Sequence, residues 1–437
     1  MIVPMSEQID SPSTAREPRP LGSEPITGPI TTELAVIGAG PAGAAAAIHA
    51  ARAGHEVLLI DSASFPRDKT CGDGLTPRAM HQLDVLGIEV NPGYRNKGLK
   101  LFGYGGSVTA PWPQCYPATQ GTAMKRHEFD ALLVQHAVDA GASLIQGTAT
   151  QPRVSCNRVE SFQVGSTTVR ARWVIVADGV RSTFGKQLGR TWHKDEVFGI
   201  AARSYATSPR ADEPWMHSHV ELKDAAGKVQ PGYGWIFPLG AEAGAVNIGL
   251  GALSTAERPA KINTKKLLDF YAAQQRSEWG LGPVQHVASA MLPMGGAVSH
   301  VAGANWMLIG DAAACVNPLN GEGIDYGLET AALAVEMLGA KDLTLAWPDL
   351  LRAHYGEAFL LARTAARLLT YPQFLPVVGP VALRGPVGAA LMPAAARLMG
   401  NLITEADRDL IARAWRLAGR GVAAARSGSP LWAAFDS

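Results

Sequence analysis

One run of the chain limits its fold more than any other: an apolar stretch, three spaced glycines, an alanine-rich stretch and a second apolar stretch ending on an acid. Glu33 to Gly38 (E-L-A-V-I-G) reads as a short buried parallel strand. Pro41 to Gly54 is rich in alanine and stops at a glycine, so it reads as a helix. Glu56 to Asp61 (E-V-L-L-I-D) is the next strand, and the order is that of a βαβ unit. Between strand and helix lies Gly38-Ala39-Gly40-Pro41-Ala42-Gly43. Gly38 permits the tight turn, Gly40 lets the backbone approach a pyrophosphate, and Gly43 lets helix and strand pack closely. Free N–H groups and the positive end of the helix dipole then face the phosphates. Asp61 stands where a carboxylate can accept bonds from ribose hydroxyls. Glycine clusters are ordinary turn punctuation on their own, but here strand, helix, second strand and acid all fall in order.

Two later segments repeat the pattern of a strand ending at a polar turn. Trp173 to Ala177 (W-V-I-V-A) is an apolar run followed by Asp178-Gly179, which alone could be only a turn. Trp306 to Gly310 is another, followed by Asp311-Ala312-Ala313, then Pro318 and Gly321-Glu322-Gly323-Ile324. An Asp at a strand end that faces a helix start can accept from a polyol hydroxyl, and glycines nearby expose N–H groups to a ring edge. The bland alternative is a capped helix after a turn. Glu128 to Ala140 shows helical periodicity, and Phe198 to Leu250 alternates with frequent turn signals, as an antiparallel sheet would. The expected class is α/β: a dinucleotide domain (33–190 and 285–340), a substrate-side antiparallel sheet domain (191–284) and a helical C-terminal region (341–437), after a disordered leader (1–32).

A length of 437 residues suits two intimately packed domains rather than one core. The net charge of +1 offers no footprint for nucleic acid. Cys71, Cys115, Cys156 and Cys315 are scattered, without metal-ligand spacing, so no metal is expected and a reducing cytoplasm fits better than a disulfide framework. The leader carries acids and prolines without an apolar core, unlike a secretory signal. Phe374 to Met399 is the most apolar stretch, but Arg384 and four prolines interrupt it. It reads either as ordinary core helix or as an element lying on the inner face of the cell membrane, with Arg384 and Arg397 at headgroup depth. It does not read as a span, which needs about 18 uninterrupted apolar residues.

The three strand-end segments together resemble the large family of FAD-dependent enzymes with the para-hydroxybenzoate hydroxylase type of fold. The resemblance implies that Gly38, Gly40, Pro41, Ala42, Gly43 and Asp61 hold the ADP part of FAD and that Asp178 and Gly179 lie near the dinucleotide. It also implies that Gly310, Asp311, Pro318, Gly321, Gly323 and Ile324 contact the ribityl chain and flavin. The family places an arginine before an F-D-x-L-L helix start, a position held by Arg126. Two further segments, Phe65-Pro66-Arg67-Asp68-Lys69-Thr70-Cys71-Gly72-Asp73-Gly74 and Tyr233-Gly234-Trp235-Ile236-Phe237-Pro238, are similar to the geranylgeranyl reductase family. The extension C-G-D-G-L-T-P-R-A is similar to its actinobacterial menaquinone reductase branch.

That likeness covers roughly residues 33 to 340. It implies reduction of an isolated C=C bond in a polyprenyl chain, most closely an isoprene unit of menaquinone. It adds Arg67, Cys71 and Gly72 to the cofactor set and puts Tyr233, Trp235 and Phe237 against substrate. Cys71 is the first candidate for the proton donor, then Tyr233 or a bound water. From the residues alone, Cys71 is equally a small side chain in a tight loop, and the alternating aromatics are equally core. Other readings stay open: a geranylgeranyl reductase acting on prenyl lipids or diphosphates, an FAD-dependent aromatic monooxygenase or halogenase, and a non-catalytic flavin-binding carrier of prenyl lipids. Halogenases carry W-x-W-x-I-P where this chain has Y-G-W-I-F-P. No second glycine motif marks an NAD(P)H domain, so the electron donor is left unidentified.

Overall fold

A computed structural model describes residues 28–113, 117–371, 373–386, 388, 397, 403, 407–425 and 431–433. The expected leader falls almost wholly outside the described residues, as do Cys115 and most of 387–406.

The first strand, Ile30–Ile37, starts three residues earlier than the apolar run, because Thr31 and Thr32 extend its pairing onto Arg170 and Ala171. Strand Ile30–Ile37 lies between Val57–Asp61 and Thr167–Val176, both parallel to it. Ser143–Gln146 flanks one side and Trp306–Leu308 the other, which completes a five-strand parallel core. Val174, Ile175 and Val176 are fully buried in its middle, as β-branched residues covered on both faces should be. The N-terminal part of Thr167–Val176 turns away to pair antiparallel with Arg158–Val164, which pairs with Ala149–Ser155.

Helix Pro41–Arg52 begins with Pro at its first position and buries Ala44 to Ile48 against the sheet and the helices Arg126–Asp139 and Ile324–Glu336. Small residues allow that closeness: a Cβ on Gly327 would lie 3.3 Å from the Ala42 Cβ.

The second sheet has the order Gln285–Pro293, Phe198–Thr207, Ala245–Ser254, Tyr233–Pro238, Met216–His219, Gly98–Gly103, Gly106–Pro111. It is antiparallel except where Met216–His219 runs parallel to Gly98–Gly103. Strands 98–111 and 285–293 therefore join this sheet, although the sequence division put them with the dinucleotide unit. Gly98–Gly103 alternates, with Leu99 and Leu101 buried and Lys100 part-exposed, and so suits a sheet with one covered face. One face of the sheet carries Ala202, Ile236, Ile248 and Leu250 under helix Thr264–Trp279. The opposite face carries Trp235 and Phe237, packed with Leu101, Met216 and Leu383. Helices Ala346–Leu369, Phe374–Leu383 and Leu410–Ala425 close that side. Among the described residues no helix is long and apolar enough to cross a membrane.

Candidate functional site

Two cavities meet between the sheets. The first, about 330 Å³, lies at the C-terminal ends of the parallel strands. Gly38, at φ +101°, abuts the Ala177 carbonyl, where a Cβ would lie 2.3 Å away. Gly43 is packed on the Gly38 carbonyl and lies beneath the cavity. Gly40 is different. Around it the nearest atoms to a Cβ would be the Arg67 and Arg126 guanidinium nitrogens, at 3.7 and 3.9 Å, so the backbone is open to a ligand. Pro41, Ala42, Asp178, Gly179, Asp311, Gly323 and Ile324 line the same space. Gly310 is buried, at φ +55°, against Ala42.

Asp61 closes one end. Its carboxylate accepts from the N–H groups of Ala39 at 2.7 Å and Ala63 at 2.9 Å, which fixes it at the strand end. Arg126 gives two bonds to Asp130, Nε–Oδ1 at 2.6 Å and Nη2–Oδ2 at 2.9 Å, and Arg67 joins the same carboxylate at 3.0 Å. Two guanidiniums on one buried Asp leave a net positive site beside Gly40. Burial raises Asp178 and Asp311 above the ordinary carboxylate range. Burial also brings Arg190 down to about 10, and its two terminal nitrogens have no hydrogen-bond partner among the described residues. Lys69, part of the Phe65–Gly74 segment but not assigned to the site from sequence, faces Asp311 and is lowered by burial. Backbone N–H groups, a net positive patch and a carboxylate at the second strand's end fit a dinucleotide pyrophosphate and ribose.

The second cavity, about 440 Å³, opens from the first past Cys71, Gly72, Gly321 and Glu322. Its walls are the inner faces of the second sheet (Tyr233, Trp235, Phe237, Leu253, Leu292) and the C-terminal helices (Leu368, Leu369, Phe374, Leu375, Val378, Trp415). Trp235 donates from Nε1 to Asn247 Oδ1 at 2.9 Å, and its ring fills the space a Cβ on Gly249 would take. Asn247 Nδ2 donates to the Cys71 carbonyl at 2.8 Å and to Asp73 Oδ2 at 3.0 Å. Tyr205 also donates to Asp73, at 2.6 Å. Tyr233 Oη donates to the Asn320 carbonyl at 2.8 Å. Burial pushes the Cys71 thiol up to about 11, with Arg126 opposing. Asp73 is raised to about 6 and Glu322 to about 8, both mainly by burial.

The sequence-predicted residues thus fall into three groups. Gly38, Gly40, Pro41, Ala42, Asp61, Arg67, Arg126, Asp178, Gly179, Asp311, Gly323 and Ile324 line the first cavity. Cys71, Gly72, Gly321, Tyr233, Trp235 and Phe237 line the second, as do Arg126, Asp311, Gly323 and Ile324, where the two meet. Gly43, Gly310 and Pro318 support from beneath, Pro318 by packing at Gly295. The sequence reading missed Asn247, Asp73 and the C-terminal helix side chains. Asp73 sat inside a quoted motif, and Phe374, Leu375 and Val378 lie in the apolar stretch from Phe374, read there as core or membrane contact rather than cavity wall; Asn247 gave no local signal.

A family model described as "FAD binding domain" matches residues 31–365. The chain is 54% identical over 397 residues to the menaquinone reductase of Mycolicibacterium smegmatis, covering 89% of this chain and 96% of that one. It is 29% identical to a digeranylgeranylglycerophospholipid reductase of Methanopyrus kandleri, over 77% of this chain and 90% of the relative. Among solved structures, a geranylgeranyl bacteriochlorophyll reductase-like protein of Thermoplasma acidophilum superposes with a TM-score of 0.71 at 20% identity, covering 84% of this chain and 96% of that one. The fold, the glycine-framed cleft and these likenesses agree: the chain belongs to the FAD-binding-domain family, as an FAD-dependent oxidoreductase of the group that includes the menaquinone reductases.

Proposed function

We propose that the chain saturates one C=C bond in the polyprenyl tail of menaquinone. The observation that carries this reading is the second cavity, an apolar passage that starts beside the FAD cleft and runs out beneath the C-terminal helices. Its volume suits part of a flexible hydrocarbon chain. The 54% identical relative named menaquinone reductase supports the quinone over other prenyl compounds.

In this reading the residues divide the work. Gly38, Gly40 and the start of helix Pro41–Arg52 receive the FAD pyrophosphate, Asp61 the ribose, and Arg67 and Arg126 neutralise charge. FAD held in this cleft would, when reduced, supply the hydride chemistry. Trp235, locked by Asn247, and Tyr233, tied to Asn320, hold the chain flat against Cys71 and the Gly321–Gly323 edge. The apolar walls exclude water, which orients the alkene and protects the hydride.

A menaquinone tail cannot cross water, so the passage must open onto lipid. Val377 is 71% and Val381 59% exposed on helix Phe374–Leu383, whose Phe374, Leu375 and Val378 line the passage. Arg384 and Arg413 are exposed nearby in the sequence and on the next helix. We infer that this corner rests on the membrane surface, valines in the acyl boundary and arginines at the anionic headgroups.

The test is anaerobic incubation of FAD-loaded, chemically reduced protein with menaquinone in vesicles, followed by mass spectrometry. A gain of two hydrogens in the tail supports the reading. The same gain on geranylgeranyl lipids only would move the substrate, and oxygen consumption driven by a phenol would replace the reading with a hydroxylase. Bound flavin that no prenyl compound reoxidises would make the protein a carrier.

A further inference from the structure

We propose that Glu322 is the acid that protonates the alkene, an assignment that rests on the polyprenyl reading above. Saturating C=C breaks one π bond and forms two C–H bonds. The reduced flavin provides two electrons and one hydrogen as hydride. The second hydrogen must arrive as a proton, and an isolated alkene has no carbonyl to absorb charge in its place. The donor therefore has to be a neutral acid inside the apolar cavity.

Glu322 is the group that meets those conditions. It lines the cavity between Gly321 and Gly323, next to the edge shared with the FAD cleft. The loop is fixed by backbone bonds: Gly321 N–H to Asn317 O at 3.0 Å, Asn317 N–H to Glu322 O at 2.8 Å, and Glu322 N–H to Asn320 Oδ1 at 2.9 Å. Tyr233 ties the cavity wall to the same loop through Asn320. The charges that act on the Glu322 carboxyl are all acidic: Asp325 on the following helix, Asp311 on the strand-end turn and Asp73 on the Cys71 loop. Cys71 and Tyr233 also feel it. Three cations line the cavity, but Arg126 is committed to Asp130, Lys69 faces Asp311, and Arg203 pairs with Asp68 and the Lys69 carbonyl. The N-terminus of helix Ile324–Glu336 favours the carboxylate, and burial with three acids outweighs it. The carboxyl is pushed up to about 8, so at neutral pH it holds a proton and can give it up.

The other candidates fit less well. Cys71, at about 11, holds its proton far more tightly. The Tyr233 hydroxyl hydrogen is engaged by a carbonyl, and burial raises its pKa further. Asp73, at about 6, is largely ionised at neutral pH and is held by Tyr205 and Asn247.

The experiment compares FAD-loaded wild type, Glu322→Gln and Glu322→Asp. Single-turnover reduction of menaquinone should fall by roughly 10²-fold or more in Glu322→Gln, with FAD content unchanged and partial recovery in Glu322→Asp. The wild-type rate should decline above a pH of about 8, and that limb should be missing in Glu322→Gln. Independently of turnover, infrared spectra of protein carrying carboxyl-¹³C glutamate should show a protonated carboxyl band that titrates near that pH and is missing in Glu322→Gln. Glu322→Gln turnover close to wild type, or no protonated glutamate band at neutral pH, overturns the proposal alone. Wild-type protein that saturates no polyprenyl chain overturns the functional reading, and the assignment falls with it.

Discussion

Asn247 couples more of the site than any single motif residue. It accepts from Trp235 and donates to both the Cys71 carbonyl and Asp73, so one amide sets the aromatic wall and the cysteine loop together. Asn247→Leu should leave the Trp235 N–H and the Asp73 carboxylate short of partners, costing about 2 kcal/mol or more. Thermal unfolding checks the loss, and flavin release should accompany it if the cysteine loop swings. Glu322 yields a second, pH-dependent expectation. Its folded pKa lies above the unfolded one, so ionising it costs stability, a cost absent below about 4.5 and complete above about 8. Glu322→Gln removes that cost. The variant should match wild type in Tm at pH about 4.5, exceed it increasingly up to pH about 8 and keep that margin above it, a trend that differential scanning fluorimetry reads directly. The sequence made Gly38, Gly40 and Asp61 legible because pyrophosphate binding demands those types at that spacing. Glu322 was visible only as the middle of a G-E-G. Its raised pKa depends first on burial and then on Asp325, Asp311 and Asp73, and Asp73 lies roughly 250 residues away.

Elements were legible where the hydrophobic period was strong. The parallel strands and helix Pro41–Arg52 lie where the apolar runs put them, since buried strands need continuous β-branched stretches. Short alternating strands such as Gly98–Gly103 were harder to place, because pairing with Met216–His219 across more than a hundred residues is not a local property. Helix Phe374–Leu383 shows the same limit. Its sequence is apolar all round, and only the structure divides it into a wall for the cavity (Phe374, Leu375, Val378) and an outward row (Val377, Val381). Arg397, expected beside it at headgroup depth, is instead buried and paired with Asp407 and Asp409. Replacing Val377 and Val381 with Asp should weaken vesicle partitioning by about tenfold per residue, given roughly 1.5 kcal/mol for each valine withdrawn from lipid. Co-sedimentation with anionic vesicles measures it. Flavin content should be unaffected, since neither side chain reaches the FAD cleft.

At the scale of the molecule, the C-terminal segment ties the layers together. Trp432 is fully buried; its backbone N–H bonds to Gly296 O at 3.1 Å and its Nε1 to Ala313 O at 2.7 Å. Its ring packs on Tyr355 and Phe359 of helix Ala346–Leu369. Arg352 donates to its carbonyl at 2.7 Å, and Ala433 bridges to Ser299. Trp432→Ala should cost about 3–5 kcal/mol in global stability, as large core aromatics do, and a denaturant midpoint would show it. Ala313 closes the turn that presents Asp311 to the cleft. The turn beneath that cleft is thus braced by a residue 119 positions further along the chain. Grip on the cofactor is therefore coupled to a contact made outside the cleft, and loosening Trp432 should loosen FAD with it.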